Sequence, residues 1–226
     1  MANGTSGMPT GSPNPGMPGN IKWSEAPNIQ PPDSLKEALG DKGRPIGIGE
    51  AVVGANPYFD PTGSYAEFTM NCNRCVVAYE ARRRGYDVVA QPTYRGDNFG
   101  NRVVAPDGTI NARWQGAFQG AKTEMVGGKN TGEVIANIDG KMTDWGNGSR
   151  AVVGVTWSPA VGGGGHVFNV ERQSGRNYFV DAQSGERYNP KDVFSMVVPN
   201  SVRLVRTDNL RFSSRAMRAV EQDTRR

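Results

Sequence analysis

The sequence predicts an α+β domain in which one long helix precedes an antiparallel sheet. Three observations carry that expectation. A complete helix signal runs from Asn71 to Gly85, apolar β-branched runs follow one another between Ala151 and Ala182, and the last two runs are separated by Gln173-Ser174-Gly175-Arg176, a hairpin signal.

Taken in chain order, residues 1–32 are Gly, Pro, Ser, Asn and Met with hardly a β-branched side chain, too little apolar surface to order a chain, and are read as a flexible leader or linker. Residues 33–55 form a short helix and connector, because Asp33 to Gly40 offers a capping residue, good helix formers and a terminal glycine. The main domain is expected over residues 56–206. Its entry, Asn56-Pro57-Tyr58 to Tyr65, is rich in turn formers. The helix that follows has Asn71 as N-cap, Gly85 past its C-terminus and Arg82, Arg83 and Arg84 in the last turn, where cations favour the dipole. Cys72, Cys75, Val76 and Tyr79 fall on one face at helical spacing. Those arginines read as exposed helix charges or as contacts to an acidic partner.

A short strand is expected from Tyr86 to Ala90. Weaker signals then mark a Gly- and Asn-rich loop and short helices near Arg113–Ala121 and Thr131–Met142. Ala151–Trp157, His166–Arg172 and Asn177–Ala182 read as successive strands, and Val202–Arg206 as another. Residues 207–226 are expected to be a basic C-terminal helix.

Composition narrows the function. A chain of 226 residues accommodates one catalytic domain plus tails, and its charge of +4 is not gathered into a continuous stripe, which argues against nucleic acid as a partner. No apolar run reaches membrane-spanning length, and Met1 to Asn20 lacks the pattern of a signal peptide. The expectation is a protein with no membrane association, cytoplasmic or delivered by a dedicated route. Two cysteines three positions apart cannot staple a domain, so free thiols are expected. With one histidine beside them they leave a zinc ion short of a ligand, and no cofactor is called for.

Those residues can still do chemistry. A thiol at a helix N-terminus beside an imidazole is set up as a nucleophile, and Cys72 starts the predicted helix. His166, the sole histidine, opens a strand after Gly162-Gly163-Gly164-Gly165, where backbone can approach closely. Asp181 closes the next strand, and pairing across the Gln173–Arg176 turn would bring it to His166 as the group that fixes the imidazole tautomer. Cys72, His166 and Asp181 are the candidate catalytic residues.

Asn71-Cys72-x-x-Cys75-Val-Val-Ala-Tyr-Glu-Ala-Arg-Arg-Arg-Gly-Tyr-Asp-Val, Gly165-His166-Val-Phe-Asn-Val and Tyr178-Phe-Val-Asp181-Ala-Gln-Ser-Gly185 resemble the papain-fold toxins of bacterial polymorphic toxin and effector systems, which are glutamine deamidases. The resemblance covers about residues 56–200. It implies a papain-like fold, thiolate attack on a primary amide, release of ammonia and hydrolysis of the thioester, with His166 as base and then acid and Asp181 orienting it. It also implies a protein substrate bearing a target glutamine, and a delivery or immunity partner. Papain proteases use the second cysteine of Cys-x-x-Cys, whereas here the helical stripe buries Cys75 and favours Cys72. The papain-type Gln six positions before the nucleophile is replaced by Ala66 for Cys72, or Thr69 for Cys75, which leaves the second oxyanion donor unassigned. Gln183 is a candidate supporting group.

Other readings use the same residues. A cysteine protease or a transglutaminase-like acyltransferase would form the same acyl-thioester. A Cys-x-x-Cys redox protein would use both cysteines, although no βαβ pattern precedes them. A non-enzymatic phage or assembly module would keep its function without Cys72.

Overall fold

The structure, a computed structural model, describes residues 22, 24, 32–95, 99, 102–104 and 110–225. Apart from residues 22, 24 and 32, the leader expected over 1–32 lies outside the described residues.

Ser34 accepts the Glu37 N–H through its hydroxyl and starts α1, Leu35–Leu39. Helices α2 (Ile48–Ala55) and α3 (Ala66–Thr69) lead into α4, Cys72–Arg83. Strands β1 (Val88–Ala90), β2 (Arg102–Val104) and β3 (Ile110–Ala112) come next, then a 3-10 turn at Arg113–Ala117 where a short helix was expected. Strand β4 (Glu124–Met125) precedes α5, Thr131–Trp145, which Asn130 caps through its side chain. The remaining elements are β5 (Arg150–Thr156), β6 (Gly165–Gln173), β7 (Arg176–Asp181), β8 (Glu186–Tyr188), α6 (Pro190–Ser195), β9 (Arg203–Arg206) and β10 (Val220–Gln222).

The main sheet is six-stranded, ordered β4-β9-β5-β6-β7-β8, with antiparallel neighbours throughout. Its strands alternate between two apolar cores, as a sheet covered on both faces must. Val152, Val167, Val180 and Val205 pack with α2 and α4 on one face. Val153, Phe168, Phe179 and Leu204 pack on the other with Val134 and Ile138 of α5 and Phe194 of α6. The expected helix packed on an antiparallel sheet is therefore present, with a second helical layer behind it.

Helix α4 is buried from Arg74 to Arg82, well beyond the stripe through Cys75, Val76 and Tyr79. Polar residues tie it down. Asn169 donates to the Val76 carbonyl at 3.4 Å, and Glu171 accepts from the Tyr79 hydroxyl and from Arg83 Nε, both at 2.8 Å. The arginines expected on the surface face inward instead. Arg82 donates to Asp87 and to the Val88 carbonyl, Arg83 holds Glu171, and Arg84 holds Glu80 and the carbonyls of Thr207 and Leu210. Each guanidinium caps buried backbone or a buried carboxylate, a stronger claim on it than solvent or the helix dipole.

Among the described residues, which here run to 225, the basic C-terminal helix expected over 207–226 is not formed. Residues Ser214–Arg218 make a 3-10 turn, and β10 pairs antiparallel with β1, Ala90 opposite Val220. The otherwise open edge of β1 offers backbone hydrogen bonds that a short helix with few apolar side chains could not match. Gln91 donates from its side chain to the carbonyls of Met217 and Val220, and Ala216, Ala219 and Val220 are buried in the α4 core. Among the described residues no helix is long and apolar enough to cross a membrane.

Candidate active site

Ser174 and Gly175, with φ of 48° and 76°, make the tight turn between β6 and β7 and set Gln173 opposite Arg176. The register then runs without a break to Asn169 opposite Val180. One step further, Asp181 stands beside Phe168 and diagonal to His166, on the same face. The predicted encounter follows, with His166 Nε2 lying 3.2 Å from Asp181 Oδ2. His166 and Asp181 are both buried.

A carboxylate buried there must be fully hydrogen-bonded. Asp181 Oδ1 accepts the Gln183 N–H at 2.9 Å, and Oδ2 accepts the Tyr188 hydroxyl at 2.6 Å as well as His166. Burial opposes the Asp181 charge, but the nearby imidazolium and these donors overcome it and hold the carboxyl below its usual range. Burial likewise resists protonation of His166, and the Asp181 charge overrides it, raising the imidazole to about 10. Because Asp181 only accepts, Nε2 carries a proton and Nδ1 is left for another partner. Cys72 lies close enough to act on the ring, and its influence also favours the protonated form.

The ring is held by aromatic neighbours. Trp157 stacks on it at 5.8 Å and 16°, and Phe168 at 6.0 Å and 30°. Gly162, Gly163 and Gly164 all have positive φ, between 70° and 99°, which explains the glycine run ahead of β6. Side chains other than hydrogen would strain three successive residues there.

Cys72 is the first residue of α4 and is half-buried. Its N–H, like the others in the first turn, has no acceptor within the helix and points with the positive end of the dipole. Asn71 does not cap through its side chain as expected. Its carbonyl takes the N–H groups of Arg74 and Cys75, while its side chain is fully committed elsewhere. Asn71 Oδ1 accepts from the Cys75 thiol at 3.2 Å and from Asn56 at 3.3 Å, and Nδ2 donates to Asn56 Oδ1 and the Gln91 carbonyl. Cys75 is wholly buried, and burial pushes its thiol well above the ordinary range. It acts as a packed, hydrogen-bonded thiol.

Asn56 links the two halves of the site. It donates to the Gln183 carbonyl and the Phe68 carbonyl, both at 2.8 Å. Gln183 in turn donates from its side chain to the Thr69 carbonyl. The end of β7 is thereby fixed to the segment that delivers Cys72. The structure brings Cys72, His166 and Asp181 together, with Gln183 against Asp181 through its backbone. Sequence reasoning missed Asn56, Trp157 and Tyr188. Trp157, the residue after a strand and before the glycine run, carried a positional signal; Tyr188, on a three-residue strand, carried none.

A family model described as papain fold toxin 1, glutamine deamidase, matches residues 70–186 of the chain. Comparisons with curated proteins and with solved structures return no match.

Proposed function

Because this chain belongs to the papain-fold toxin family of glutamine deamidases and is therefore a cysteine-dependent hydrolase, we propose that Cys72, His166 and Asp181 perform the deamidation. The observation that carries this reading is the ring of His166, bonded through Nε2 to a buried carboxylate, with Cys72 at the start of α4 among the groups that act on it. The substrate is a protein carrying the target glutamine.

In the first step Cys72 Sγ, with its proton held on the His166 ring in the imidazolium that the Asp181 charge favours, attacks the side-chain carbonyl carbon of glutamine. A carbon–sulfur bond forms and the carbonyl electrons move to oxygen, where the Cys72 N–H at the helix start is placed to donate. Collapse of that adduct breaks the carbon–nitrogen bond, and His166 returns its proton to the departing nitrogen, which leaves as ammonia. Water, deprotonated by His166, then attacks the thioester. The carbon–sulfur bond breaks, the product is glutamate, and Cys72 Sγ is freed with the proton held on His166. Asp181 keeps the ring oriented and stabilises its positive charge in both halves.

Family membership further supports a bacterial toxin that acts inside a target cell, with a delivery protein and an immunity protein as partners. Purified protein is expected to release ammonia from a glutamine-bearing protein. Cys72→Ala and His166→Ala should each lower the rate by at least about 100-fold. Peptide-bond cleavage in place of ammonia release would make the chain a protease. Joining of the substrate to an amine would make it an acyltransferase.

A further inference from the structure

Tyr188 lies just beyond the stretch that the family model matches, yet its hydroxyl makes the shortest hydrogen bond to Asp181, at 2.6 Å. The tyrosine is nearly buried on β8, where Phe179 stands opposite it in the register. Its ring meets Phe168 edge-on at 5.2 Å and 88°, and Phe168 itself lies against His166. Ring and hydroxyl are therefore both fixed relative to the imidazole.

From this geometry we infer that Tyr188 is a positioning residue that shares Asp181 Oδ2 with His166 and thereby sets how strongly the carboxylate holds the imidazolium. The inference rests on the triad proposed above. Two donors converge on one oxygen, at 2.6 Å from Tyr188 and 3.2 Å from His166. A shorter bond from a neutral donor draws electron density from that oxygen and lengthens the competing bond. Burial and the Asp181 charge push the phenol far above its ordinary range, so it remains a donor wherever the protein is folded.

The arrangement has a catalytic consequence. An imidazolium gripped too tightly is a poor acid toward the departing ammonia, since general-acid assistance weakens as the proton affinity rises. Tyr188 moderates the grip without touching substrate. The other titratable groups around the pair are Cys72 and Cys75 from α4 and Glu186 from β8, and none of them donates to Oδ2.

His166 is the sole histidine, so its titration can be followed by NMR without assignment ambiguity and without any substrate. Tyr188→Phe keeps the ring on Phe168 and removes the donor. The proton affinity of His166 is expected to rise by about threefold or more, and kcat to fall with KM unchanged. Site-specific 3-fluorotyrosine at 188, a stronger donor of nearly the same shape, should move the titration the opposite way, and it serves if Tyr188→Phe does not fold. An unmoved titration in the folded variants would reduce Tyr188 to packing and overturn the inference. Absence of ammonia release from the wild type, with the titration shifts intact, would instead refute the triad's assigned reaction.

Discussion

Replacing Asp181 by Asn removes one charge from the centre of the site and leaves its shape nearly unchanged. Two large effects oppose each other at His166. Burial disfavours the imidazolium, and the Asp181 charge more than offsets that, to leave the ring near 10 against an ordinary 6.5. With the charge gone, burial is opposed only by the weaker influence of Cys72, and His166 should titrate below its ordinary value. The loss of proton affinity then exceeds a thousandfold, on the order of 4 kcal/mol or more of coupling between the two residues. At neutral pH the ring would become neutral and lose the partner that fixes its tautomer. The rate should fall by roughly 10²–10⁴-fold, the range that positioned acid–base groups supply, with KM little altered because Asp181 is wholly buried. Proton NMR of the single histidine across pH, alongside ammonia release, reads both quantities. A ring that still titrates near 10 in Asp181→Asn, or a rate within about twofold of wild type, would refute the electrostatic reasoning.

Two further outcomes follow from buried charges. Glu171, fully buried, accepts from Tyr79, Arg83 and Gln173, the last at 2.7 Å, so Glu171→Gln leaves the Arg83 cation without its carboxylate. Denaturant unfolding should show a loss of about 3–5 kcal/mol with the His166 titration unchanged. The His166–Asp181 pair also makes stability depend on pH. His166 is raised on folding, so its contribution is complete below about 6.5 and is lost as pH climbs through about 10. Asp181 is lowered, so its contribution is present above about 4 and is lost on further acidification. The stability gap between wild type and Asp181→Asn should therefore be widest between those limits and should shrink toward pH 10, as thermal unfolding at several pH values would reveal.

The parts of the site legible in the sequence are those set by local rules. A two-residue turn fixes the β6–β7 register, and the parity of that register puts residues 166 and 181 on one face. Capable helix formers between Asn71 and Gly85 fix where Cys72 stands. The remainder depends on contacts between distant segments. Arg82 to Arg84 obey the helix-dipole rule equally well inside or outside, and only partners distant in the chain, Glu171 for Arg83 and residues 207–223 for Arg82 and Arg84, turn them inward. The same packing replaced an expected terminal helix with β10, because the edge of β1 that it satisfies cannot be read from residues 207–226 alone. Tyr188 enters the site through strand pairing seven positions after Asp181, with nothing in its own neighbourhood to mark it. Asn71 is the N-cap residue of α4 as expected, but its side chain bonds no helix N–H, since Asn56, Cys75 and Gln91 compete for it.

The central claim is that Cys72 forms an acyl-thioester with a glutamine side chain and that water resolves it. Intact-mass analysis of a glutamine-bearing acceptor protein, with the reaction run in ¹⁸O-water, tests it most directly. Each modified site should gain about 3 Da with wild type and with Cys75→Ala that remains folded, and nothing with Cys72→Ala. The label present with Cys72→Ala and absent with Cys75→Ala would move the nucleophile to the buried thiol and contradict the account.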